Sequence, residues 1–398
     1  MLFLIVIAIV LGIGAGVITG LIPGLHVNLI TVIAVSSVGV LSGISPLLVA
    51  IFIISLALTH SFLDSIPSIY LGAPDPDQVV AVLPGHQMFL EGKGHLAITY
   101  TLIGSLAALI LCILFMPFGI KLLVSVQSFI QPYIGKILLG VILLLLVLSK
   151  KIILNSSFFL LAGLFGLLCF NIPDQRQILL PMLSGLFGTS TLLISLAGTS
   201  ERIKQQFDKI IPITSKVIER TVSRATLVGI LASFLPGFGS SQAAIVASST
   251  MRKKTAIDYL LLVGGINTVN FAFSLVTVTL LGKARNGAIV GVKDLLGEIT
   301  IHHLLLFIPV LLIVGGIATL LGLWLSKRTA NILQKMPYKK VVIGVLVFLF
   351  VMVVSFSWLK GILILLTATG LGIVASRFGA QKNMLLGCLL LPVIVYLW

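Results

Sequence analysis

Residues Leu2–Ile22 read LFLIVIAIVLGIGAGVITGLI, a run without a single charged side chain, and Pro23-Gly24 follows directly. A helix needs about 20 apolar residues to cross the hydrocarbon core of a bilayer. Similar apolar runs recur along the chain, at Leu96–Phe118, Ile137–Leu148, Leu304–Leu325, Val341–Ser357 and Met384–Leu397. Helices satisfy their own backbone hydrogen bonds in lipid, and Ile142–Leu148 (ILLLLVL) does not alternate as a barrel strand does. The sequence therefore predicts an all-α polytopic membrane protein.

The composition excludes several other classes of protein. Hydrophobic residues make up 58% of the 398 residues and charged residues only 9%, whereas soluble domains carry about 25% charged residues. The net charge of +15 lies in short stretches between apolar runs, as in the cytoplasmic loops of membrane proteins, so we expect no nucleic-acid partner. Cys112, Cys169 and Cys388 lack metal or disulfide spacing. HExxH, CxxC, P-loop and GxSxG motifs are absent, so we predict neither an enzyme nor a metal site nor a bound cofactor.

Two parts of the chain resemble each other. Gly16–Asn28 (GVITGLIPGLHVN) and Val228–Ser241 (VGILASFLPGFGSS) both place a Pro-Gly pair after an apolar run. Further pairs follow in the same order and at nearly the same offset: Tyr70–Val82 with Leu280–Val292, and Ile137–Val141 with Val341–Val345. Three matches in one order indicate an internal duplication.

The polar stretch 199–224 separates the two parts and predicts a cytoplasmic amphipathic linker between a first membrane repeat, 1–198, and a second, 225–398. Positions of the basic clusters give each repeat one re-entrant helical hairpin, broken at its Pro-Gly pair, and about five transmembrane helices. An odd number of crossings makes the repeats inverted copies, a common plan of secondary transporters. A parallel repeat, or no repeat, remains the alternative.

The two Pro-Gly breaks are the predicted substrate site. Pro ends one half-helix, Gly lets the chain turn, and the next half-helix points its N-terminal N–H groups at the break, which favours an anion. Small and polar residues around both breaks would line the site together with two asparagines of the second half: Pro23, Gly24, His26, Asn28, Pro236, Gly237, Gly239, Ser240, Ser241, Asn267 and Asn270. The alternative is a pair of kinks with local hydrogen bonds.

Thr59–Pro67 (THSFLDSIP) places His60 and Asp64 four residues apart, on one helix face inside an apolar run. An ionisable residue inside a membrane segment is a functional candidate, so both residues are predicted to couple transport to Na⁺ or H⁺. The alternative is an Asp whose charge is satisfied by His60 or by a helix N-terminus. The corresponding second-half stretch, Asn267–Asn270 (NTVN), has no acid, and its amides can offer oxygen to Na⁺ or N–H to an anion.

Four motifs resemble those of the large membrane subunit of tripartite tricarboxylate transporters, the TctA family: Gly20–Gly24 (GLIPG), Leu63–Leu71 (LDSIPSIYL), Pro84–Ile98 (PGHQMFLEGKGHLAI) and Leu235–Gly239 (LPGFG). Gly264–Asn270 (GGINTVN) stands where the family has E-A-A-N-N-A. The resemblance implies transport of a carboxylate together with a small membrane subunit and an extracytoplasmic binding protein.

These observations predict a secondary active transporter that moves an organic anion, a carboxylate, across the cytoplasmic membrane of a prokaryote. A polyprenyl-phosphate translocase is the first alternative, because helix N-termini would bind a lipid phosphate equally well, and the partner would then be an anionic lipid. A non-transporting membrane scaffold is the second. Membrane lipids surround the protein in each case, and a homodimer is left open.

Overall fold

The computed structural model describes residues 1–23, 27–40, 45–72, 79–130, 133–147, 149, 151–173, 178–196, 203–207, 214–234, 239–249, 251, 255–282, 284 and 286–397. Most of these residues are helical, the rest lie in turns and short irregular stretches such as 203–207, and no strand occurs among them. The predicted site residues Gly24, His26, Pro236 and Gly237 lie outside the described residues.

The helices of the first half are α1 (Leu2–Leu21), α2 (Val27–Val40), α3 (Pro46–Leu63), α4 (Ser65–Leu71), α5 (Val79–Leu90), α6 (Gly94–Leu114), α7 (Met116–Ile130), α8 (Ile134–Val147), α9 (Ile152–Phe170), α10 (Leu179–Leu183) and α11 (Ser190–Leu196). A π-helical turn, Ser184–Thr189, joins α10 to α11. The second half comprises α12 (Ser215–Phe234), α13 (Ser240–Ser249), α14 (Ala256–Leu281), α15 (Gly287–Leu296), α16 (Ile301–Leu333), α17 (Tyr338–Phe378) and α18 (Gly387–Leu397).

Seven helical segments in the described part of the chain are long and apolar enough to cross a membrane: α1, α3 with α4, α6, α9, α14, α16 and α17. Many of their large apolar side chains are exposed, for example Phe3, Leu168 and Leu366, because lipid rather than protein surrounds them. The segment α14 is instead buried along nearly its whole length. The predicted all-α polytopic membrane protein is confirmed.

The longest helix, α17, is a hairpin of two helices. Trp358 has φ 48° and ψ −151°, which no helical residue adopts. A Cβ placed on Gly361 would lie 3.1 Å from Cγ1 of Val353, although eight residues of straight helix would separate them by about 12 Å. The chain therefore reverses at Trp358, whose own side chain is exposed.

Two segments of the second half have the same length as segments of the first. The helices α1 and α12 have 20 residues each, and the segments Pro46–Leu71 and Ala256–Leu281 have 26 each. Close packing also recurs: α1 lies parallel to α3, with Gly16 against Thr59, and α12 lies parallel to α14, with Gly229 against Val269. The first part of the predicted linker lies partly outside the described residues, and its last residues, from Ser215, form the beginning of α12.

Each half also packs against the other. The helix α6 of the first half lies on α14 of the second, and α16 of the second lies on α3 of the first. Gly315 faces Leu109 and Gly322 faces Leu102, so α6 and α16 run antiparallel. These crossed contacts place α3 and α14 next to each other at the centre of the molecule.

A kink in the α3–α4 segment lies at Asp64. Pro67 has no N–H to donate to the carbonyl of Leu63, and its ring crowds that carbonyl, so the helix is interrupted three residues earlier. Side chains satisfy part of the loosened backbone: the Ser65 hydroxyl donates to the carbonyl of Phe62 at 3.2 Å, and the Ser68 hydroxyl to that of Asp64 at 2.8 Å. The kink therefore presents the last turn of α3 to its neighbours.

Candidate functional site

A small cavity of about 40 Å³ lies between α3 and α14, beside the kink. Ten residues line it: Val27, Asn28, Ala57, His60, Ser61, Asp64, Asn267, Asn270, Phe271 and Asn286. They come from α2 and α3 of the first half and from α14 and the start of α15 of the second. The cavity is thus built by both halves.

A directed chain of hydrogen bonds crosses from one half to the other at this cavity. The amide nitrogen Nδ2 of Asn270 donates to Oγ of Ser240 at 3.1 Å, and that hydroxyl donates to Oδ1 of Asn267 at 3.2 Å. Nδ2 of Asn267 then donates to Oδ2 of Asp64 at 3.0 Å and to the carbonyl of Ser61 at 3.3 Å. The chain of hydrogen bonds ends on the carboxylate of Asp64.

Three helices begin at or next to the cavity. The first residues of α2, Val27 and Asn28, line it, and Asn286 is the N-cap of α15, with its Oδ1 accepting a 2.9 Å hydrogen bond from the N–H of Ala288. Ser240 is the first residue of α13 and bonds to two lining residues. Helix N-termini carry partial positive charge, so their convergence favours an anion near Asn28 and Asn286.

The opposite polarity occurs at the end of α3. This helix ends at Leu63, and the carbonyl of Ser61 in its last turn, which carries partial negative charge, accepts from Nδ2 of the cavity-lining Asn267. The buried side chains of His60 and Asp64 lie on this turn. Two regions of opposite character therefore adjoin one cavity: helix N-termini on one side, and a helix C-terminus with a carboxylate on the other.

Asp64 is an unusual residue in this protein. Two acidic side chains are buried among the described residues, Asp64 and Asp258. Asp258 belongs to a capping box, because its carboxylate accepts from the N–H of Thr255 at 3.1 Å while the Thr255 hydroxyl accepts from the Asp258 N–H. Asp64 has no such helix-capping role. No group of three or more His, Cys, Asp or Glu suited to a metal occurs in the described part of the chain.

The structure brings together most of the sequence-predicted residues that it describes. Asn28, His60, Asp64, Asn267 and Asn270 line the cavity, and Ser240 bonds directly behind it. Ser241 is buried in α13. Pro23 lies in the turn after α1, and Gly239 immediately precedes α13. Neither Pro23 nor Gly239 lines the cavity.

Two polar residues of the site were not predicted from the sequence: Ser61, which contributes through its backbone carbonyl, and Asn286. A signal for Asn286 did exist, since Asn directly before an apolar run that starts with Gly287 is a common N-cap. A Cβ on Gly287 would collide with the side-chain amide of Asn28. Glycine at this position therefore lets α15 of the second half approach α2 of the first.

The size of the cavity bears on what it holds in this conformation. On this scale a water molecule needs roughly 10–15 Å³, so about 40 Å³ holds a few waters or one ion. Pockets for organic ligands usually exceed about 300 Å³. In this conformation the cavity is therefore too small to hold an organic anion.

The fold and the site define a polytopic membrane protein with an interior polar cavity lined by residues of both halves of the chain. The sequence model of the family described as "Tripartite tricarboxylate transporter TctA family" matches residues 6–387. The chain belongs to this family of membrane transporter components, as its motifs had indicated. It is also 28% identical, over 98% of each chain, to the uncharacterized protein MJ1079 of Methanocaldococcus jannaschii. No solved structure matches.

Proposed function

We propose that this protein is the membrane permease of a secondary active transport system that moves an organic anion, a carboxylate, across the cytoplasmic membrane of a prokaryote, driven by Na⁺ or H⁺. The observation that carries the proposal is the single cavity on which helix N-termini of both halves and the buried carboxylate of Asp64 converge. The N-termini bind the anion, and Asp64 with His60 responds to the coupling cation. Family membership supports transport of an acid.

Inverted repeats with re-entrant hairpins are part of this proposal. Three observations support it: the equal lengths of α1 and α12 and of Pro46–Leu71 and Ala256–Leu281, the repeated packing of α1 on α3 and of α12 on α14, and the antiparallel course of α6 and α16. In such a fold the two halves exchange conformations around a fixed site. The small cavity then corresponds to a state in which the substrate space is closed.

A reconstituted uptake assay tests the proposal. Purified protein in liposomes, with a Na⁺ or a pH gradient imposed, is offered radiolabelled citrate, succinate and glutarate. We expect uptake of at least one acid that depends on one of the gradients and falls about tenfold in Asn28→Ala or Asn270→Ala, a loss of about 1.4 kcal/mol of transition-state or binding energy.

Asn171→Ala is the matched control, because Asn171 is exposed at the end of α9 and its side chain bonds within its own helix, to the carbonyl of Leu167. This variant should transport like the parent protein. If no carboxylate is taken up under either gradient, and copurified polyprenyl phosphate is found instead, the anion is a lipid and the proposal fails.

Partners follow from the family. Members work in tripartite systems, so we infer that a small membrane subunit and an extracytoplasmic binding protein deliver substrate to this chain. Affinity purification of the tagged protein from its native membrane should retain the small subunit. Uptake by the isolated chain at the same rate with and without these partners would contradict the inference.

A further inference from the structure

Two oxygen atoms of the first half converge on one point at the kink. Oδ2 of Asp64 and the carbonyl oxygen of Ser61 lie 3.0 and 3.3 Å from the same atom, Nδ2 of Asn267. The oxygen of Ser61 lies in the last turn of α3, and that of Asp64 belongs to the residue that directly follows this helix. The two oxygens can therefore both serve as ligands of one small cation placed beside the Asn267 amide.

The amide of Asn267 is held in this orientation by one hydrogen bond on its other side. Its Oδ1 accepts from the hydroxyl of Ser240, the first residue of α13. A rotation of 180° about χ2 of Asn267 exchanges the positions of Nδ2 and Oδ1. The side chain keeps almost the same shape, because χ2 of asparagine is broad and roughly two-fold. Oδ1 would then face Asp64 and the carbonyl of Ser61, and Nδ2 would donate to the oxygen of Ser240.

We propose that the turned amide completes a binding site for a monovalent metal cation, whose ligands are Oδ2 of Asp64, the carbonyl oxygen of Ser61 and Oδ1 of Asn267. Hard cations prefer oxygen ligands of this kind, and carbonyls at interrupted helices are their usual ligands in transporters. The adjoining cavity of about 40 Å³ has room for the water that would fill the remaining coordination positions. The proposal rests on the proposed function and deepens it by naming the ligands of the coupling ion.

The charge of the site favours a monovalent ion over a divalent one. Among the three ligands only Asp64 carries a charge, and Ca²⁺ sites combine several carboxylates while Mg²⁺ demands a near-octahedral set. If the coupling ion were a proton, Asp64 alone could bind it, and the nearby oxygens of Ser61 and Asn267 would have no role in binding. In the orientation described, Nδ2 of Asn267 instead donates to the two oxygens that would bind the ion.

The turn of the amide links the ion to the anion-binding region. While Oδ1 of Asn267 bonds to Ser240, the start of α13 is held against α14. When Oδ1 of Asn267 binds an ion, it no longer accepts from the Ser240 hydroxyl. That hydroxyl can then donate to another acceptor, towards the cavity. Occupation of the cation site thus changes the polar groups at the N-terminus of α13.

Thermal unfolding of the detergent-purified full chain tests this site without any transported substrate. Melting temperatures are measured in NaCl, KCl and choline chloride at equal ionic strength. We expect NaCl or KCl to raise the melting temperature by about 2 °C or more over choline chloride, as a ligand of the native state does. Asp64→Asn and Asn267→Ala should each abolish that difference.

Asp258→Asn is the control, because it removes the other buried carboxylate, at the capping box of α14, and should keep the difference. If Asp64→Asn does not fold, Asn267→Ala, which keeps Asp64, still tests whether the difference in melting temperature depends on the proposed ligands. Equal melting temperatures in the three salts, or a metal-ion effect retained in Asn267→Ala and Asp64→Asn, would overturn the proposal. If metal ions raise the melting temperature but no carboxylate is taken up, the cation site is supported and only the proposed transport is refuted. If uptake is driven by protons and metal ions do not raise the melting temperature, only the cation site is refuted.

Discussion

Asn267 of the second half donates a 3.0 Å hydrogen bond from Nδ2 to Oδ2 of Asp64 in the first half. Both residues are buried, and they belong to two segments of 26 residues each, α14 in the second half and α3 with α4 in the first. The site therefore depends on the packing of the halves as much as on either residue. Its stability and its activity can be tested separately.

Replacing Asn267 with Leu keeps the approximate volume and removes the amide. Ser61 loses a donor to its carbonyl, Asp64 loses one to its carboxylate, and the Ser240 hydroxyl loses its acceptor. We expect a loss of about 1–3 kcal/mol in the free energy of unfolding, the cost of leaving buried polar groups unsatisfied. Asn171→Leu, at the exposed end of α9, should change it by less than about 0.5 kcal/mol. Chemical unfolding in detergent, followed by circular dichroism, measures both, and equal losses would contradict the expectation.

Pro67→Ala should repair the kink. An alanine at this position has an N–H that can donate to the carbonyl of Leu63, so α3 and α4 become one regular helix and the last turn of α3 is withdrawn from the cavity. We expect unchanged or higher stability and an uptake rate lowered by about tenfold, equivalent to ~1.4 kcal/mol. Pro309→Ala, within α16 but not lining the cavity, should leave uptake unchanged. Unaltered uptake in Pro67→Ala would show that the kink is not required.

Asn286 allows charge to be varied without loss of the helix cap. Asp at this position still caps α15 but adds a negative charge to the cavity. If the cavity binds an anion, KM for the carboxylate should rise by about tenfold or more, which is ~1.4 kcal/mol. Asn286→Ser keeps the cap without the charge and should change KM by much less. Uptake titrations in liposomes distinguish the two, and a lower KM in Asn286→Asp would count against an anionic substrate.

Gly16 is a contact point of α1 with α3. A Cβ there would lie 2.6 Å from the carbonyl oxygen of Leu56 and 2.6 Å from Cβ of Thr59, whereas a Cβ on Gly14 would meet nothing within 4 Å. Gly16→Ala should therefore cost about 1–3 kcal/mol through overpacking. Gly14→Ala should be neutral or slightly stabilising, because alanine is the better helix former. Thermal unfolding of the two variants compares them directly, and equal melting temperatures would contradict the close approach at Gly16.

Gln205 ties the connection between the halves to the first half. Its side chain donates to the carbonyl of Phe89 at 2.9 Å and accepts from the N–H of Gly94 at 3.0 Å, across the turn between α5 and α6. Gln205→Ala should loosen this segment and accelerate limited proteolysis within 203–207. Gln206 bonds to Gly92 through its backbone N–H, so Gln206→Ala should be cleaved at the rate of the parent protein. Equal cleavage of the two variants would show that the Gln205 side chain does not hold the segment.

Much of the site could be predicted because it depends on side-chain chemistry that the sequence displays. Asp64 and His60 in an apolar run, and Asn267 with Asn270 at the matching place, are visible as polar residues where lipid or core is expected. Ser61 could not be predicted, because it contributes its backbone carbonyl, at the helix end that Pro67 interrupts. The direction of a backbone carbonyl depends on the three-dimensional structure and cannot be read from the residue type. The reversal at Trp358 was equally hidden, since its positive φ falls on a tryptophan rather than on a glycine.

The crossed packing of α6 on α14 and of α16 on α3 has a consequence for biogenesis. Small and polar residues such as Gly104 and Ser105 of α6 pack against α14, and Gly264 of α14 packs against α6. During synthesis these residues of the first half stay uncovered by α14 until the second half has been inserted. We therefore expect the nascent chain to be most open to proteolysis in the interval between insertion of the two halves.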